Sequence, residues 1–474
     1  MAQKILIEPV TRIEGHAKVS IYLGDDGRVE RALLHINEFR GFEKFCEGRM
    51  YFEMPAITPR ICGICPVSHH LAAAKACDAV AGVQPPRTAS LLRELMHMGQ
   101  VIQSHSMHFF ELAGPDILLG FDAEPAKRNI VGLVEEYPEV ALKGVLLRKF
   151  GQSVIAHLGE KRVHPRFAVV GGVNSALSPA SRDTILKESE ERLKDVQDGI
   201  AIIKSWLEKN QDYAQAFASF PCGYMGLVRE DGALELYDGR VRLIDCDGNL
   251  LEEFAPADYL DYIGEHVEPW SWLKFPFYRK FGWPDGVYRV GPLARLNVAS
   301  HISTPLANKE HQEWRSLRSG KPVQATLYYH YARLVETLYA IERLQELLQD
   351  PEITSNDIVA FPDSLVGHGV GCLEAPRGTL FHDYTVDEQG RLTAVNFIVA
   401  TGHNKWAMSK SVEEVAKAFV DGKNLTEGML NRVEAAIRAY DPCLSCSTHA
   451  IGQMPLDISI YARDGSLVRR LVRG

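Results

Sequence analysis

The sequence predicts a mainly α fold with β decorations, an α+β arrangement built around a bundle of long helices. Two long segments carry apolar side chains at helical spacing: Leu91, Leu95, Met98, Ile102 and Phe109 in one, and Leu327, Tyr331, Leu334, Leu338 and Ile341 in the other. The first forty residues alternate apolar and polar side chains instead, and Asp-Gly pairs recur where short strands would turn. No internal repeat and no linker rich in Gly, Ser or Pro divides the chain, so it reads as one compact unit.

Taken in order, Ile5-Leu6-Ile7, Ala17 to Tyr22 and Val29 to Ile36 predict a small antiparallel sheet, with Asp25-Asp26-Gly27 turning between its later strands. Helices are expected over Thr88–Leu112, Ser181–Lys209, Gln324–Gln349, Val412–Phe419 and Glu427–Tyr440. The Gln324–Gln349 segment stops at Asp350-Pro351, where proline cannot continue it. Residues 223–254 read as a β insertion, with turns at Asp231-Gly232, Asp238-Gly239 and Asp247-Gly248. Residues 380–399 read as a hairpin around Asp387-Glu388-Gln389-Gly390.

The 474 residues hold 52 Lys+Arg against 61 Asp+Glu, a formal charge of −9 that argues against nucleic acid as a partner. No apolar run approaches the roughly 18 residues that a membrane span needs, and the first residues show no export-signal core. A cytoplasmic location is expected.

Nine cysteines, an odd count, do not make a disulfide framework. Four of them form two Cys-x-x-Cys pairs, Cys62/Cys65 and Cys443/Cys446, nearly a whole chain apart. Pro66 suits the first position of a helix, which sets Cys65 at its cap, where free N–H groups and the positive dipole end favour a thiolate. His69, one turn into that helix, falls on the Cys65 side and is placed to donate a hydrogen bond to its sulfur. The second pair follows a helix halted by Asp441-Pro442. Two such pairs make a four-thiolate metal site, and spacing alone leaves zinc, iron–sulfur and nickel open.

Three motifs carry more than spacing. Arg12-Ile13-Glu14-Gly15-His16, Arg60-Ile61-Cys62-Gly63-Ile64-Cys65 and Asp441-Pro442-Cys443-Leu444-Ser445-Cys446-Ser447-Thr448-His449 resemble the signatures of the nickel–iron hydrogenase large subunit. Glu38-Phe39-Arg40-Gly41-Phe42-Glu43, Glu374-Ala375-Pro376-Arg377-Gly378 and Val399-Ala400-Thr401 extend the resemblance in the same order along the chain. Phrases such as Trp270-Ser271-Trp272-Leu273-Lys274-Phe275-Pro276 are most similar to the cytoplasmic, bidirectional NAD-reducing group.

The resemblance implies that Cys62 and Cys443 are terminal nickel ligands, while Cys65 and Cys446 bridge nickel to an iron carrying carbon monoxide and cyanide. It implies the long-helix bundle of that family. Heterolytic cleavage of dihydrogen needs a base and a proton exit; Cys443 sulfur is the implied first acceptor and Glu14 the relay. Arg377 is implied over the open metal face, and Pro376, Arg377 and Thr401 cradle the diatomic ligands. Glu43, the Phe397 carbonyl and His449 match a magnesium site. Ser104 stands where many uptake enzymes have aspartate, and is expected to hydrogen-bond Arg377 without neutralising it. His105 is expected packed nearby, as is His108. The structural alternatives are a Glu14–Arg12 ion pair, an Arg377–Glu374 pair, and surface roles for Glu43 and His69.

Neither ferredoxin-like cysteine spacing nor a dinucleotide fingerprint is present, so electron wiring falls to partners. The family supplies a small subunit with an iron–sulfur cluster, and a diaphorase module bearing flavin and NAD. The expected activity is that of a hydrogen:NAD+ oxidoreductase; the alternative is a related cytoplasmic enzyme using a deazaflavin, NADP or polysulfide. The complex I relative lacks the four cysteines, and structural zinc is the remaining non-enzymatic reading. Residues 450–474 resemble a propeptide that a maturation endopeptidase removes after a nickel chaperone has acted, a cut expected to free the last segment to fold inward.

Overall fold

A computed structural model describes residues 3–36, 38–39, 41–448, 456–462, 464 and 466–473. The N-terminal strands β1 (Gln3–Ile7), β2 (Ala17–Leu23) and β3 (Val29–Ile36) form the expected antiparallel sheet in that order, with Ile5 opposite Ile21 and Val19 opposite Leu34. Val19, Ile21, Leu34 and Ile36 are fully buried, as two-residue alternation requires.

The helices that frame the site are α1 (Pro66–Val80), α2 (Arg87–Ser106), α3 (Pro138–Gly159), α4 (Pro179–Lys209), α5 (Tyr329–Gln349), α6 (Lys405–Phe419) and α7 (Glu427–Arg438). Pro66, Pro138 and Pro179 open their helices, where a missing N–H is no loss. The Ser178 and Thr426 hydroxyls cap α4 and α7 by accepting from Ser181 and Met429 N–H. Helix α2 packs on α3 and α5, α5 packs on α4, and α6 covers β3 and α7. Burial of α5 runs nearly all round and takes in Arg333 and Glu336.

The β insertion is a sheet of β4 (Gly223–Val228), β5 (Arg240–Ile244) and β6 (Leu250–Phe254), joined by the later β7 (Tyr288–Arg289) parallel to β4. The expected hairpin is the pair β9 (Gly378–Val386) and β10 (Leu392–Ile398). A strand not expected from the sequence, β8 (His368–Ala375), pairs with β9 on its other side. Residues 456–473 form a hairpin of β11 (Leu456–Tyr461) and β12 (Leu467–Arg473).

The structure departs from the sequence reading in its helices as well. The expected Thr88–Leu112 helix ends as α at Ser106 and widens into π turns over Met107–Ala113, where the Leu112 carbonyl accepts from Arg12 Nη1 at 2.8 Å. Helix α3 was not expected; Gly144, Gly151 and Gly159 interrupt its apolar stripe because its neighbours come close there. Helix α6 begins at Lys405, seven residues earlier than expected.

One contact carries the motif of the first cysteine pair. Strand β8 lies directly on α1, where Ala72, Ala73, Ala74 and Ala76 are fully buried. A Cβ on Gly371 would stand 2.0 Å from the Ala72 carbonyl oxygen, so only glycine allows the approach. Gly371→Ala is therefore expected to cost stability at or above the upper end of the ~1–3 kcal/mol for overpacking, read as a lowered thermal midpoint of the purified chain.

Candidate metal centre

Cys62 ends a tight 3-10 turn, Thr58–Ile61, and Cys65 caps α1 ahead of Pro66, as the sequence predicted. Asp441, with φ of 55°, swings the chain away from α7 and delivers Cys443 and Cys446 to the same point. Cys62 Sγ lies 3.3 Å from Cys443 Sγ, and Cys65 Sγ lies 3.4 Å from Cys446 Sγ. All four thiols are buried and their sulfurs lie within 4.8 Å of one another. Among the described residues, no other group of three or more His, Cys, Asp or Glu gathers this way. All nine cysteines are free thiols.

The cluster prepares Cys62 to lose its proton. Thiols of Cys443, Cys446 and Cys65 donating to its sulfur hold it well below the usual range against burial, and Arg377 assists. The N–H groups of Ile64 and Cys65 point at the same sulfur, at 3.2 and 3.4 Å. Burial pushes Cys443 and Cys446 up. Four thiols crowded without water favour soft metal ions, whose binding displaces the remaining protons.

The N-terminal motif runs beside the second pair. Glu14 bridges to Cys443 as a parallel strand partner, its carbonyl accepting from Leu444 N–H at 3.1 Å, and its carboxylate accepts from Ser445 N–H at 3.1 Å. The alternative Glu14–Arg12 pair does not form: Arg12 donates to Asp116 at 2.5 Å. Gly15, at φ +85°, has room for no side chain, since a Cβ would meet Leu444 Cβ at 2.8 Å. Ser445 Oγ donates to Glu38 at 3.2 Å, and Glu38 meets the exposed His16 ring at 2.5 Å.

Arg377 is buried and donates to Asp441 through its carbonyl at 2.6 Å and its carboxylate at 3.1 Å. Burial works against its charge, but Asp441 and the sulfurs of Cys443, Cys65 and Cys62 hold the guanidinium firmly protonated. One expectation and one alternative fall here. The expected Ser104–Arg377 hydrogen bond does not form, and neither does the alternative Arg377–Glu374 pair. The Ser104 hydroxyl is buried without a partner, and Asp441 supplies the carboxylate beside Arg377. Arg377 Nη1 remains a buried donor without a partner, the kind of group an anionic ligand satisfies.

Thr401 Oγ1 accepts from Cys443 N–H at 2.9 Å, which leaves its hydroxyl proton to donate elsewhere. The Pro376 carbonyl accepts from Arg295 at 3.1 Å. Arg295, fully buried, also joins Glu336 at 2.6 Å and Glu374 at 2.7 Å, and His105 Nε2 meets Glu336 at 2.9 Å. His108 meets the Arg438 carbonyl at 2.7 Å. His69 does not make the expected hydrogen bond to the Cys65 sulfur: it is buried with its Nδ1 facing His382 Nε2 at 3.1 Å, and burial lowers its pKa to about 4. Glu43 and Phe397 are brought together: Glu43 Oε1 accepts from Phe397 N–H at 2.9 Å, and burial pushes the Glu43 carboxyl up to about 7. That is a setting in which a cation stabilises the carboxylate. His449 lies outside the described residues.

Sequence reasoning gave no role to Asp441, Arg295 or Glu336. A signal was present: Arg295 and Glu336 are lone charges on apolar helical stripes, Leu293-Ala294-Arg295-Leu296 and Leu334-Val335-Glu336.

The nickel-dependent hydrogenase model matches residues 40–131 and 225–449, and a HoxL-like model matches residues 4–39. The NAD-reducing hydrogenase HoxS subunit beta of Cupriavidus necator is 44% identical across all of both chains. A chain of the F420-non-reducing hydrogenase of Methanothermobacter thermautotrophicus is 43% identical over 99% of this chain and 100% of its own. A solved NAD+-reducing nickel–iron hydrogenase in the H2-reduced state superposes with a TM-score of 0.92 at 45% identity, over 94% of this chain and 99% of that one.

The Arg295 network beneath the Ala375-Pro376-Arg377 segment makes a measurable demand. Glu336→Leu removes one of the two buried carboxylates that hold Arg295 and the partner of His105, and is expected to cost about 3–5 kcal/mol, whereas Glu346→Ala on the exposed end of α5 stays within about 0.5 kcal/mol; denaturant unfolding of the two variants checks the contrast.

Proposed function

This chain belongs to the nickel-dependent hydrogenase family, and from that premise we propose that it is the catalytic subunit of an NAD-reducing nickel–iron hydrogenase of the cytoplasm. The observation that carries the reading is the convergence of four buried sulfurs from opposite ends of the chain beside a buried arginine. When bound, the nickel–iron pair splits dihydrogen heterolytically and accepts its electrons. Cys62, Cys65, Cys443 and Cys446 would hold the nickel–iron group, with Arg377, the Pro376–Arg377 backbone and the Thr401 hydroxyl placed beside its carbon monoxide and cyanide ligands. The unpartnered Nη1 of Arg377 suits a cyanide nitrogen.

Cys443 sulfur takes the proton and Glu14, braced on the Cys443–Cys446 turn, passes it on. Beyond it, Ser445, Glu38 and the 80%-exposed His16 side chain lead to solvent, and the Glu38 hydrogen bond raises the pKa of His16. His69 and His105 act through packing, and Ser104 contributes a small buried hydroxyl. Glu43, the Phe397 carbonyl and His449 hold magnesium, a fit supported by the buried carboxyl of Glu43.

The electron exit assigned in this reading is the exposed stretch at Arg60 and Gly63, beside Cys62 and Cys65. Apolar Val163, Val169, Phe361 and Val366 stand exposed along segments tied to α1 through Phe167, Ala168 and Val366. This face suits the small subunit with its iron–sulfur cluster, which passes electrons to diaphorase subunits bearing flavin and NAD. No helix among the described residues is long and apolar enough to cross a membrane.

A second reading keeps every ligand and changes the carrier: relatives named F420-non-reducing reach 46% identity over 88% of this chain. The superposition on a solved NAD+-reducing enzyme, with a TM-score of 0.92 at 45% identity, together with the 44% identity to an NAD-reducing subunit over all of both chains, supports the first. The purified assembly is expected to hold one nickel per catalytic chain, with more than one iron because the partner subunits carry iron–sulfur clusters, to show infrared bands from carbon monoxide and cyanide, and to reduce NAD+ with dihydrogen. Glu14→Gln keeps metals and bands but loses about a hundred- to ten-thousand-fold in turnover; full activity in that variant rejects the relay.

Residues 450–474 are the propeptide of this reading, and a maturation endopeptidase cuts behind His449 after a nickel chaperone has acted. Intact mass of active enzyme is expected to correspond to a chain ending at His449, and a nickel-loaded, active chain retaining the tail overturns this.

A further inference from the structure

Arg289 carries a charge in the interior without a carboxylate to meet it. Strand β7 pairs parallel with β4, Tyr288 opposite Gly223 and Arg289 opposite Tyr224, so the Arg289 and Tyr224 side chains leave the sheet on one face. Both residues are 0% exposed. The guanidinium lies over two rings, 4.2 Å from the centre of Phe220 and 5.8 Å from that of Tyr440. Tyr329 packs on Tyr440 with ring centres 4.8 Å apart. Arg289 Nη1 donates to the Gln324 carbonyl. Nε and Nη2 are buried without an acceptor, and the Tyr224 hydroxyl is buried without a partner. Those two nitrogens share one edge of the guanidinium, the fork that takes an anion through two N–H bonds.

The groups crowded round Arg289 do not supply the missing charge. They are Tyr440, Cys222, Tyr224 and Tyr329, with no carboxylate among them. Burial pushes the pKa of each above its ordinary value, so all four are neutral at neutral pH. Water in the fork answers the N–H groups but leaves the charge uncompensated, and an unpaired buried charge costs far more than an unpaired buried dipole. An anion answers both demands. A monovalent ion matches the single guanidinium, whereas a dianion brings a surplus of its own. A cavity of about 240 Å³ opens beside the pair, lined by Cys222, Gly223 and Tyr288, which flank Tyr224 and Arg289 in the chain. Asp245 and Asp285 line the same cavity, and neither pairs with Arg289.

We propose that the Nε–Nη2 edge of Arg289 and the Tyr224 hydroxyl form a binding site for a small monovalent anion, chloride, on the face shared by β4 and β7. The ion neutralises Arg289 and fixes the guanidinium over Tyr440, the residue before Asp441. It thereby braces the start of the turn that delivers Cys443. The site stands independently of which electron carrier the enzyme uses.

The test exchanges the purified, metal-loaded assembly into potassium chloride, bromide or gluconate at equal ionic strength and follows hydrogen exchange by mass. Peptides covering residues 222–228 and 286–291 are expected to exchange several-fold more slowly in chloride and bromide than in gluconate, while peptides from α3 do not change. Crystals grown in bromide at physiological ionic strength are expected to show an anomalous peak between Arg289 and Tyr224. Tyr224→Phe keeps the ring, loses one donor, and raises the chloride concentration for half-maximal protection several-fold. Arg289→Met abolishes both the protection and the peak; where that variant does not assemble, Tyr224→Phe and the bromide peak decide. Equal exchange in all three salts, water at the fork without anomalous signal, or a peak retained in Arg289→Met overturns the proposal. So does a peak that appears only in molar bromide, which marks an adventitious ion only.

Discussion

The fold exists to bring two short cysteine turns from opposite ends of the chain to one dry point and to make that point electrically tolerable. Four sulfurs within 4.8 Å and out of water cannot all be ionised without compensating charge. The compensation is arranged in advance. Arg377 stands buried beside the sulfurs, Asp441 holds it by carbonyl and carboxylate, and the start of α1 aims N–H groups at Cys62. The second turn is not free to choose its place either. Glu14 binds Leu444 and Ser445 through its backbone and its carboxylate, and Thr401 holds the Cys443 N–H.

A second tier of buried charge positions the first. Arg295 reaches Glu336 on α5, Glu374 on β8 and the carbonyls of Ala375 and Pro376, so one guanidinium ties the bundle to the strand that leads into Arg377. His105 on α2 closes the same network on Glu336. At the other end, Arg12 and Arg438 share Asp116, and Thr11 donates to Glu434, which fastens the N-terminal motif to α7. Such pairs add little net stability beside apolar alternatives, but they reject wrong registers, because any slip leaves a charge unpaired in the interior.

The features legible in the sequence were those with a local cause. Two-residue alternation gave the first sheet, helical stripes gave α2, α4 and α5, and Pro66 placed Cys65 at a helix cap. The cysteine pairs were readable as a metal site from spacing, while the metal and the partners came only from resemblance. What stayed hidden depended on distant contacts. Helix α3 carries glycines because the carbonyl of Gly99 and the ring of Phe110 press against Gly151 and Gly144, and those glycines blurred its stripe. The carboxylate that pairs with Arg377 was not foreseen, because Asp441 is 64 residues away and reaches it only through the fold. Ser104 was expected to hydrogen-bond Arg377 without neutralising it, and that bond does not form.

The tail shows where the same logic changes a conclusion. The sequence reading made the free carboxyl terminus the event that lets the last segment fold inward. In the structure the chain continues into the β11–β12 hairpin, yet Cys443 and Cys446 are buried and their sulfurs already meet Cys62 and Cys65. Among the described residues, the anchors of the turn lie before residue 449: Asp441 on Arg377, Cys443 on Thr401, Leu444 and Ser445 on Glu14. None of these bonds uses a terminal carboxylate, so the contacts that seat the two thiols do not themselves depend on a free chain end.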